Sequence, residues 1–520
     1  MAGLRPIIFS ALHKLTVVVH IMTSNTEVKD SDPSSILAFE GGGDGHRDGY
    51  VGRPSVGLVH DWLPVYAGAE RVLEQMIHVL PDADLYSLID FVADEQRAFL
   101  QGKPVNTSFI QRMPFAKRHY RYYLPLAPFA IEQLNVHDHD IVLSSSYAVA
   151  KGALTRSDQL HLSYVHSPIR YAWDLQFEYL EQRGLDGLRG LLARAVLHYM
   201  RLFDVTSANR VDAFAANSRY VARRIWKTYR RTARVIYPPV DTERFTLHED
   251  KEPFYLAMSR LVEYKRMDLI VEAFNEMPDK ELIVIGDGPE MGRLEDLAGP
   301  NVSLLGRQPD EAVEYYMQRA RALVFAAEED FGIVPVEAQA CGTPVLAYGK
   351  GGALETVVPG TTGLFFQRQS AAAICYAVRR FAGAPEQFEP GQIREHAEQF
   401  AVDRFRRELA EWVESTYHTF QANGLVTDQD HTSIRVGAAR AGVTPAGADL
   451  LGADQLKADH LTDPSIHAHT CGDPPPEGSA SFSEDANSTR SANPERGANS
   501  EGDTSRTESA RSVGPDSTYE

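Results

Sequence analysis

Short apolar runs alternate with longer amphipathic stretches through most of the chain. "SVGLVHDWL" is an apolar run that ends in polar residues and predicts a buried strand. "AGAERVLEQMIHVL" follows, with Val72, Leu73, Met76, Ile77 and Leu80 at helical spacing. "DADLYSLI", "HDIVLSSS" and "QLHLSYVHS" predict further strands, and "LLARAVLHYMRLFDVTSANRV" is one of the helical stretches between them. At "ARVIYPPVDTERF" a strand meets two prolines and stops. The alternation then restarts. "FYLAMSRL", "ELIVIGDG", "NVSLLGR", "ALVFAA" and "PVLAYG" predict strands, while "RMDLIVEAFNEM", "DEAVEYYMQRA" and "IVPVEAQAC" predict helices. Strand and helix in units of this size predict parallel α/β sheets. The pattern occurs on both sides of Tyr237 to Asp241, so two domains with a cleft between them are expected. Open sheets of this kind bind ligands beyond the carboxyl ends of their strands.

The alternation fades at both ends. The stretch "EGGGDGHRDGYVGRPS" is rich in glycine and charge, and 1–53 reads as a flexible leader. From 421 to 520 aliphatic and aromatic residues thin out, and the segment reads as a disordered acidic tail without chemistry of its own.

Composition narrows the function classes. The chain has 520 residues, 43% of them apolar, enough for a large core. Its formal net charge of −19 argues against nucleic acid as a partner. Cys341, Cys375 and Cys471 have neither zinc-knuckle nor disulfide-framework spacing, which suits a reducing, intracellular setting. In the opening "MAGLRPIIFSALHKLTVVVHIM", His13 and Lys14 break the apolar run and no cleavage pattern follows, so a signal peptide is not expected. No uninterrupted apolar run reaches about 18 residues, so no membrane-spanning helix is expected.

The chemistry concentrates in "EEDFGIVPVEAQACGTPVLA", Glu328 to Ala347. A strand, a turn and a helix start lie in sequence here, with Pro335 in the first helical turn. The unpaired N–H groups at such a start can hold phosphate or sugar oxygens. Glu329 sits in the turn and Glu337 about two helical turns on, so both can face one side of a cleft. Carboxylates suit vicinal hydroxyls, whereas phosphate needs a cation. "MSRLVEYKR" offers two, Arg260 just beyond a strand and Lys265 in the next loop. Singly, each of these residues is an ordinary surface charge, and "IGDGPEMG" is a tight turn out of register for a dinucleotide fingerprint. Together, cations for a diphosphate and acids for hydroxyls describe a nucleotide-sugar site.

"SRLVEYKRMDLIVEAF", "VIGDGPE" and "EEDFGIVPVEAQACGTPVLA", followed by "GGALETV" and "GTTGLFF", resemble the retaining glycosyltransferases of family 4. Glu329 to Glu337 matches that family's E-x7-E motif. The likeness covers about 54 to 420. "VHDWLPVYAGAERVLEQM", "YVHSPIRYAWD" and "VIYPPVDTERF" resemble mannosyltransferases of O-antigen-type polysaccharide assembly. The resemblance implies the α/β GT-B fold, two Rossmann-like domains facing a central cleft. They are an acceptor domain over 54–239 and a nucleotide-sugar domain over 240–395, with a helix over 396–420 packing back on the first.

The resemblance also implies roles. Arg260 and Lys265 neutralise the diphosphate, Glu329 contacts the transferred sugar, and Glu337 holds the ribose hydroxyls. The backbone of Phe331, Gly332, Ile333 and Val334 meets sugar hydroxyls and phosphate. His166 matches the family's active-site histidine, and Gly68 the glycine loop whose helix points at the donor phosphate. Ala67 stands where many relatives carry a second glycine, and fits only at negative φ. The implied activity is hexose transfer, from GDP-mannose to a glycan or lipid-linked acceptor, without metal or cofactor. The alternatives are a UDP-sugar donor, an epimerising or phosphorolytic relative, and an inactive sugar-nucleotide-binding scaffold.

Basic residues are unevenly spread. "RMPFAKRHYRYYLPLAPF" mixes cations with aromatics. Between Arg189 and Arg234 bases far outnumber acids, among them Arg194, Arg201, Arg219, Arg223, Arg224 and Lys227, with Trp226 beside them. The expectation is either an anionic membrane surface as partner, for a cytoplasmic protein on the inner face, or a solvated helix face.

Overall fold

The structure is a computed structural model that describes residues 53–182 and 187–426. The expected tail from 427 onward, Cys471 and the leader up to 52 lie outside the described residues. Two parallel sheets organise the rest. The first contains β1 (Val56–His60), β2 (Asp84–Ser87), β3 (Val105–Thr107), β4 (Ile141–Ser146), β5 (Leu160–Val165), β6 (Ala213–Ala216) and β7 (Arg234–Val235), in the order β3-β2-β1-β4-β5-β6-β7. The second contains β8 (Phe254–Met258), β9 (Glu281–Ile285), β10 (Val302–Leu304), β11 (Ala322–Phe325), β12 (Val345–Tyr348) and β13 (Gly363–Phe366), in the order β10-β9-β8-β11-β12-β13. These are two Rossmann-like sheets in the GT-B arrangement.

Parallel strands are covered on both faces, so their side chains divide alternately between two cores. Leu58, Leu85 and Leu143 enter one core of the first sheet, whereas Val59, Tyr86 and Val142 enter the other. The second sheet repeats this with Tyr255, Leu282 and Val324 against Leu256, Ile283 and Leu323. Helices cover the faces, among them α1 (Gly68–Val79), α2 (Gly187–Ala208), α3 (Arg219–Tyr229), α4 (Met267–Asn275), α5 (Ile333–Ala340), α6 (Ala371–Ala382) and α7 (Val402–Asn423).

The chain leaves the first sheet and returns to it at neighbouring points. Val240 and Ala401 form a parallel bridge, and the Val240 N–H donates to the Phe400 carbonyl at 2.9 Å. Helix α7 then packs on the first sheet's core through Phe405, Leu409, Trp412 and Val413. Its Arg406 donates to Gln75 of α1 at 2.8 and 2.6 Å.

Strand order reverses between β1 and β4 in the first sheet and between β8 and β11 in the second. Crevices at such reversals, beyond the strands' carboxyl ends, are where open α/β sheets take ligands. The Gly68 loop follows β1, Arg260 follows β8, and Glu329 follows β11. His166 follows β5.

Candidate functional site

The first domain brings its glycine loop up to the second. Ala67 is extended, with φ −143°, so its methyl group fits without strain. The Glu70 carboxylate accepts from the Ala67 N–H at 3.1 Å and fixes the start of α1. A methyl group placed on Gly68 would lie 3.7 Å from Cδ1 of Ile333, so this loop faces the start of α5. One turn into α1, Arg71 Nη1 donates to Glu337 Oε1 at 2.7 Å. Glu337 is buried and the Arg71 side chain half-buried.

In the second domain two close backbone approaches shape the loops. The Ser259 N–H donates to the Ile285 carbonyl at 3.2 Å, and the Leu261 N–H to the Asp287 carbonyl at 2.9 Å. A Cβ at Gly286 would stand 1.8 Å from the Ser259 carbonyl oxygen, so only glycine lets these loops meet. Arg260 is exposed on the loop held in this way. Likewise, the Gly352 N–H donates to the Glu329 carbonyl at 2.8 Å, and a Cβ there would stand 2.3 Å from the Phe331 Cα. Phe331 is buried, with its ring 5.7 Å from that of Tyr237 and 5.5 Å from that of Phe400. Gly332 adopts φ 88° and starts α5, where the N–H groups of Ile333 and Val334 have no acceptor within the helix. The Lys265 ammonium pairs with the Glu329 carboxylate. Each carboxylate of the E-x7-E pair therefore has a cation on it: Lys265 from its own domain on Glu329, and Arg71 from the other domain on Glu337.

His166 lies among aromatic side chains and a second histidine. Its Nε2 is 2.8 Å from Ser145 Oγ, which is also 3.1 Å from His60 Nδ1. One hydroxyl can donate to one ring and accept from the other. Burial, and then the neighbouring His60, push His166 down to about 3. Its carbonyl accepts from Asn217 Nδ2 at 2.9 Å. The preceding loop is shaped by buried Asp61, which accepts the N–H groups of Tyr147, Ala148, Val149 and Ala150 at 2.5 to 3.0 Å.

The acids beside Glu329 turn toward the first domain. Asp330 Oδ1 accepts from Arg224 Nη1 at 2.6 Å, and Asp330 Oδ2 is 3.5 Å from Arg170 Nη1. Ser218 Oγ donates to the Asp330 carbonyl at 2.6 Å, and Tyr220 OH to Glu328 Oε1 at 2.9 Å. Glu355 accepts the Arg219 and Tyr220 N–H groups at 2.8 Å each, a carboxylate of one domain capping α3 of the other.

These contacts correct part of the basic-face expectation. Arg224 is turned into the molecule, and Arg201 donates to the Ala172 carbonyl at 2.9 Å and to Gln176. Arg194, Arg219, Arg223, Trp226 and Lys227 are exposed. Arg71, Arg170 and Glu355 escaped the sequence reading although "GAERV", "YVHSPIRYAWD" and "GGALETV" all carried the resemblance. The signal was their place in those motifs, since no spacing rule pairs residues this far apart in the chain. Among the described residues, no three His, Cys, Asp or Glu side chains cluster as a metal would require.

Two family descriptions match consecutive parts of the chain, Glycosyltransferase Family 4 over residues 66–244 and Glycosyl transferases group 1 over residues 240–400. A GDP-mannose-dependent alpha-(1-6)-phosphatidylinositol monomannoside mannosyltransferase of Mycolicibacterium smegmatis is 32% identical over 201 residues, 33% of this chain and 53% of that one. A GDP-mannose-dependent monoacylated alpha-(1-6)-phosphatidylinositol monomannoside mannosyltransferase of Corynebacterium glutamicum is 34% identical over 184 residues, 29% of this chain and 48% of that one. The chain thus spans about half the length of the curated relatives it matches. Among solved structures, a sucrose-phosphate synthase from Thermosynechococcus elongatus superposes with a TM-score of 0.56 at 17% identity, covering 71% of this chain and all (100%) of that one. HepE from Anabaena, in complex with UDP, superposes with a TM-score of 0.52 at 17% identity, covering 69% and 100%. At that identity the likeness concerns the fold.

Proposed function

This chain belongs to the family 4, group 1 glycosyltransferases of GT-B fold, and from that premise we propose that it transfers a hexose, mannose from GDP-mannose, with retention of anomeric configuration. The acceptor is a hydroxyl of a glycan or a lipid-linked saccharide. The observation that carries the reading is the convergence of the two domains' loops. Arg224 touches both Ser167, next to His166, and Asp330, next to Glu329. The two relatives that are GDP-mannose-dependent phosphatidylinositol monomannoside mannosyltransferases favour GDP-mannose as donor and a lipid-linked acceptor.

In this reading the donor diphosphate lies between the starts of α1 and α5, where two positive helix ends and the loop N–H groups of Gly68 and Phe331 to Val334 face anionic oxygens. Lys265 and Arg260 offset the charge that develops as the diphosphate leaves. Glu337 takes the ribose hydroxyls, and Glu329 the transferred sugar. Lys265 and Arg71 hold the two carboxylates in place beforehand, which lowers the ordering cost of binding. His166, kept neutral, serves as a hydrogen-bonding group and not as a cationic acid. The departing phosphate accepts the acceptor's proton on the face where the new bond forms. No step calls for a metal.

We also read the first domain's outer face as resting on an anionic membrane from the cytoplasmic side. Leu188, Leu191, Leu192 and Leu202 of α2 are exposed beside Arg189 and Arg194. Phe115, Tyr122 and Phe129 are exposed beside Lys117, Arg118 and Arg121. Among the described residues no helix is long and apolar enough to cross a membrane.

Thermal unfolding against GDP-mannose, UDP-glucose and GDP tests the donor. A ligand at about a hundred times its Kd stabilises by about 2.7 kcal/mol. The expected result is a higher midpoint with GDP-mannose and GDP and none with UDP-glucose. A rise with UDP-glucose alone would transfer the reading to a UDP-sugar. No rise with any of the three would remove the nucleotide-sugar site from the account.

A further inference from the structure

We propose that Arg224 is a positioning residue that sets the spacing between His166 and Glu329 across the cleft and so couples approach of the two domains to assembly of the site. The proposal rests on the reading above, in which those two residues serve the transferred sugar.

One guanidinium joins two loops from different domains. Arg224 Nη1 donates to Ser167 Oγ at 2.7 Å and to Asp330 Oδ1 at 2.6 Å. Its Nη2 donates to the Pro168 carbonyl at 3.3 Å and pairs with Asp174. Ser167 directly follows His166, and Asp330 directly follows Glu329. A shift of Arg224 therefore moves both candidate residues through one peptide unit each.

The arm that carries Arg224 is itself gripped by the second domain. Helix α3 has its first N–H groups on Glu355, and its capping residue Ser218 donates to the Asp330 carbonyl. Asp330 also faces Arg170, whose Nη2 donates to the Glu328 carbonyl at 3.2 Å. Glu329 thus lies between two residues tied to the first domain, while its own carboxylate is on Lys265.

Chemistry separates this bridge from an ordinary surface pair, which contributes little and tolerates exchange of Arg for Lys. The Arg224 and Asp330 side chains are only 11% and 15% exposed. Four acceptors lie around one planar fork, and a lysine ammonium keeps the charge but cannot span them. Displacement of reacting groups by about 1 Å costs on the order of a hundredfold in rate. Arg224→Lys should therefore act on turnover without removing a charge.

The test compares wild type, Arg224→Lys, Asp330→Asn and the double variant. Four readouts are needed: turnover of GDP-mannose, its Kd by calorimetry, the thermal midpoint, and amide hydrogen exchange of peptides covering 164–169 and 327–333. The expected result is a fall in kcat of about tenfold or more in each single variant, with Kd held within about threefold. The double variant should be no slower than the worse single one, and both loops should exchange faster while β5 and β11 stay protected. The proposal is overturned if Arg224→Lys keeps wild-type kcat and loop exchange. It is equally overturned if kcat, Kd and thermal midpoint decline in step, the mark of a merely structural role. Should wild type turn over no nucleotide-sugar, the transfer reading fails on its own, and exchange in the two loops decides whether Arg224 sets their position.

Discussion

His60 lies opposite Ser145 in the pairing of β1 with β4, and this register puts a hydroxyl between His60 and His166. His166 was visible in the sequence through its motif. Its two companions were not, because 85 residues separate His60 from Ser145 and only the sheet brings them together. Their pairing has a measurable consequence. A histidine whose folded pKa is depressed binds its proton more readily in the unfolded chain. Its contribution to stability is therefore full above the unfolded value of 6.5 and is lost as pH falls toward the folded value, about 3 for His166. Burial drives His161 the same way, to about 4. Both rings should add to a loss of stability below pH 6.5 and neither to any change above it. Thermal unfolding between pH 7 and about 4 should show a shallower acid decline for His166→Gln than for wild type. Parallel curves would mean that His166 is not held neutral by the fold. The charged residues tell a similar story. Sequence assigned cations to phosphate and carboxylates to hydroxyls, and the structure adds that Lys265 meets Glu329 and Arg71 meets Glu337.

Elements buried on both faces were the easiest to read. Strands β4, IVLSSS, and β5, LHLSYV, are six residues long, and every residue in them is buried. By contrast β3, with the sequence VNT, and β6, with AFAA, are too short or too alanine-rich for periodicity to reveal them. Helix α3 carries a different lesson. Its basic residues read as one outer face, toward a membrane or solvent, yet Val221, Ile225 and Tyr229 are buried at a spacing of four, and Arg224 borders that stripe. Arg223, the residue before it, faces elsewhere and is exposed, and Lys227, about one turn further on, is exposed as well. On α2 leucines are among the exposed side chains, Leu188 at 81% and Leu192 at 65%. Flotation with liposomes tests whether this helix meets a membrane. Vesicles containing phosphatidylglycerol should carry the protein, about 0.5 M salt should weaken the association, and Leu191→Glu with Leu192→Glu should abolish it. Binding to neutral phosphatidylcholine alone, or indifference to the paired substitution, would remove the membrane from the account.

At the scale of the whole molecule, two repeats of the same α/β logic meet through loops at the carboxyl ends of their strands. The repeat was legible because the strand-helix alternation starts afresh after the prolines at 238 and 239. The contacts that join the halves were not legible. The parallel bridge of Val240 to Ala401 and the Glu355 cap on α3 join residues far apart in the chain, and no local pattern announces them. The central claim is retaining transfer from GDP-mannose by the site these contacts assemble. Its most direct test is proton NMR of the mannose released when purified protein turns GDP-mannose over to water, with Glu329→Gln as control. The account predicts that the α anomer appears first and then relaxes by mutarotation, and that release falls by about tenfold or more in Glu329→Gln. Release of the β anomer first, or turnover no faster than in buffer, would contradict it.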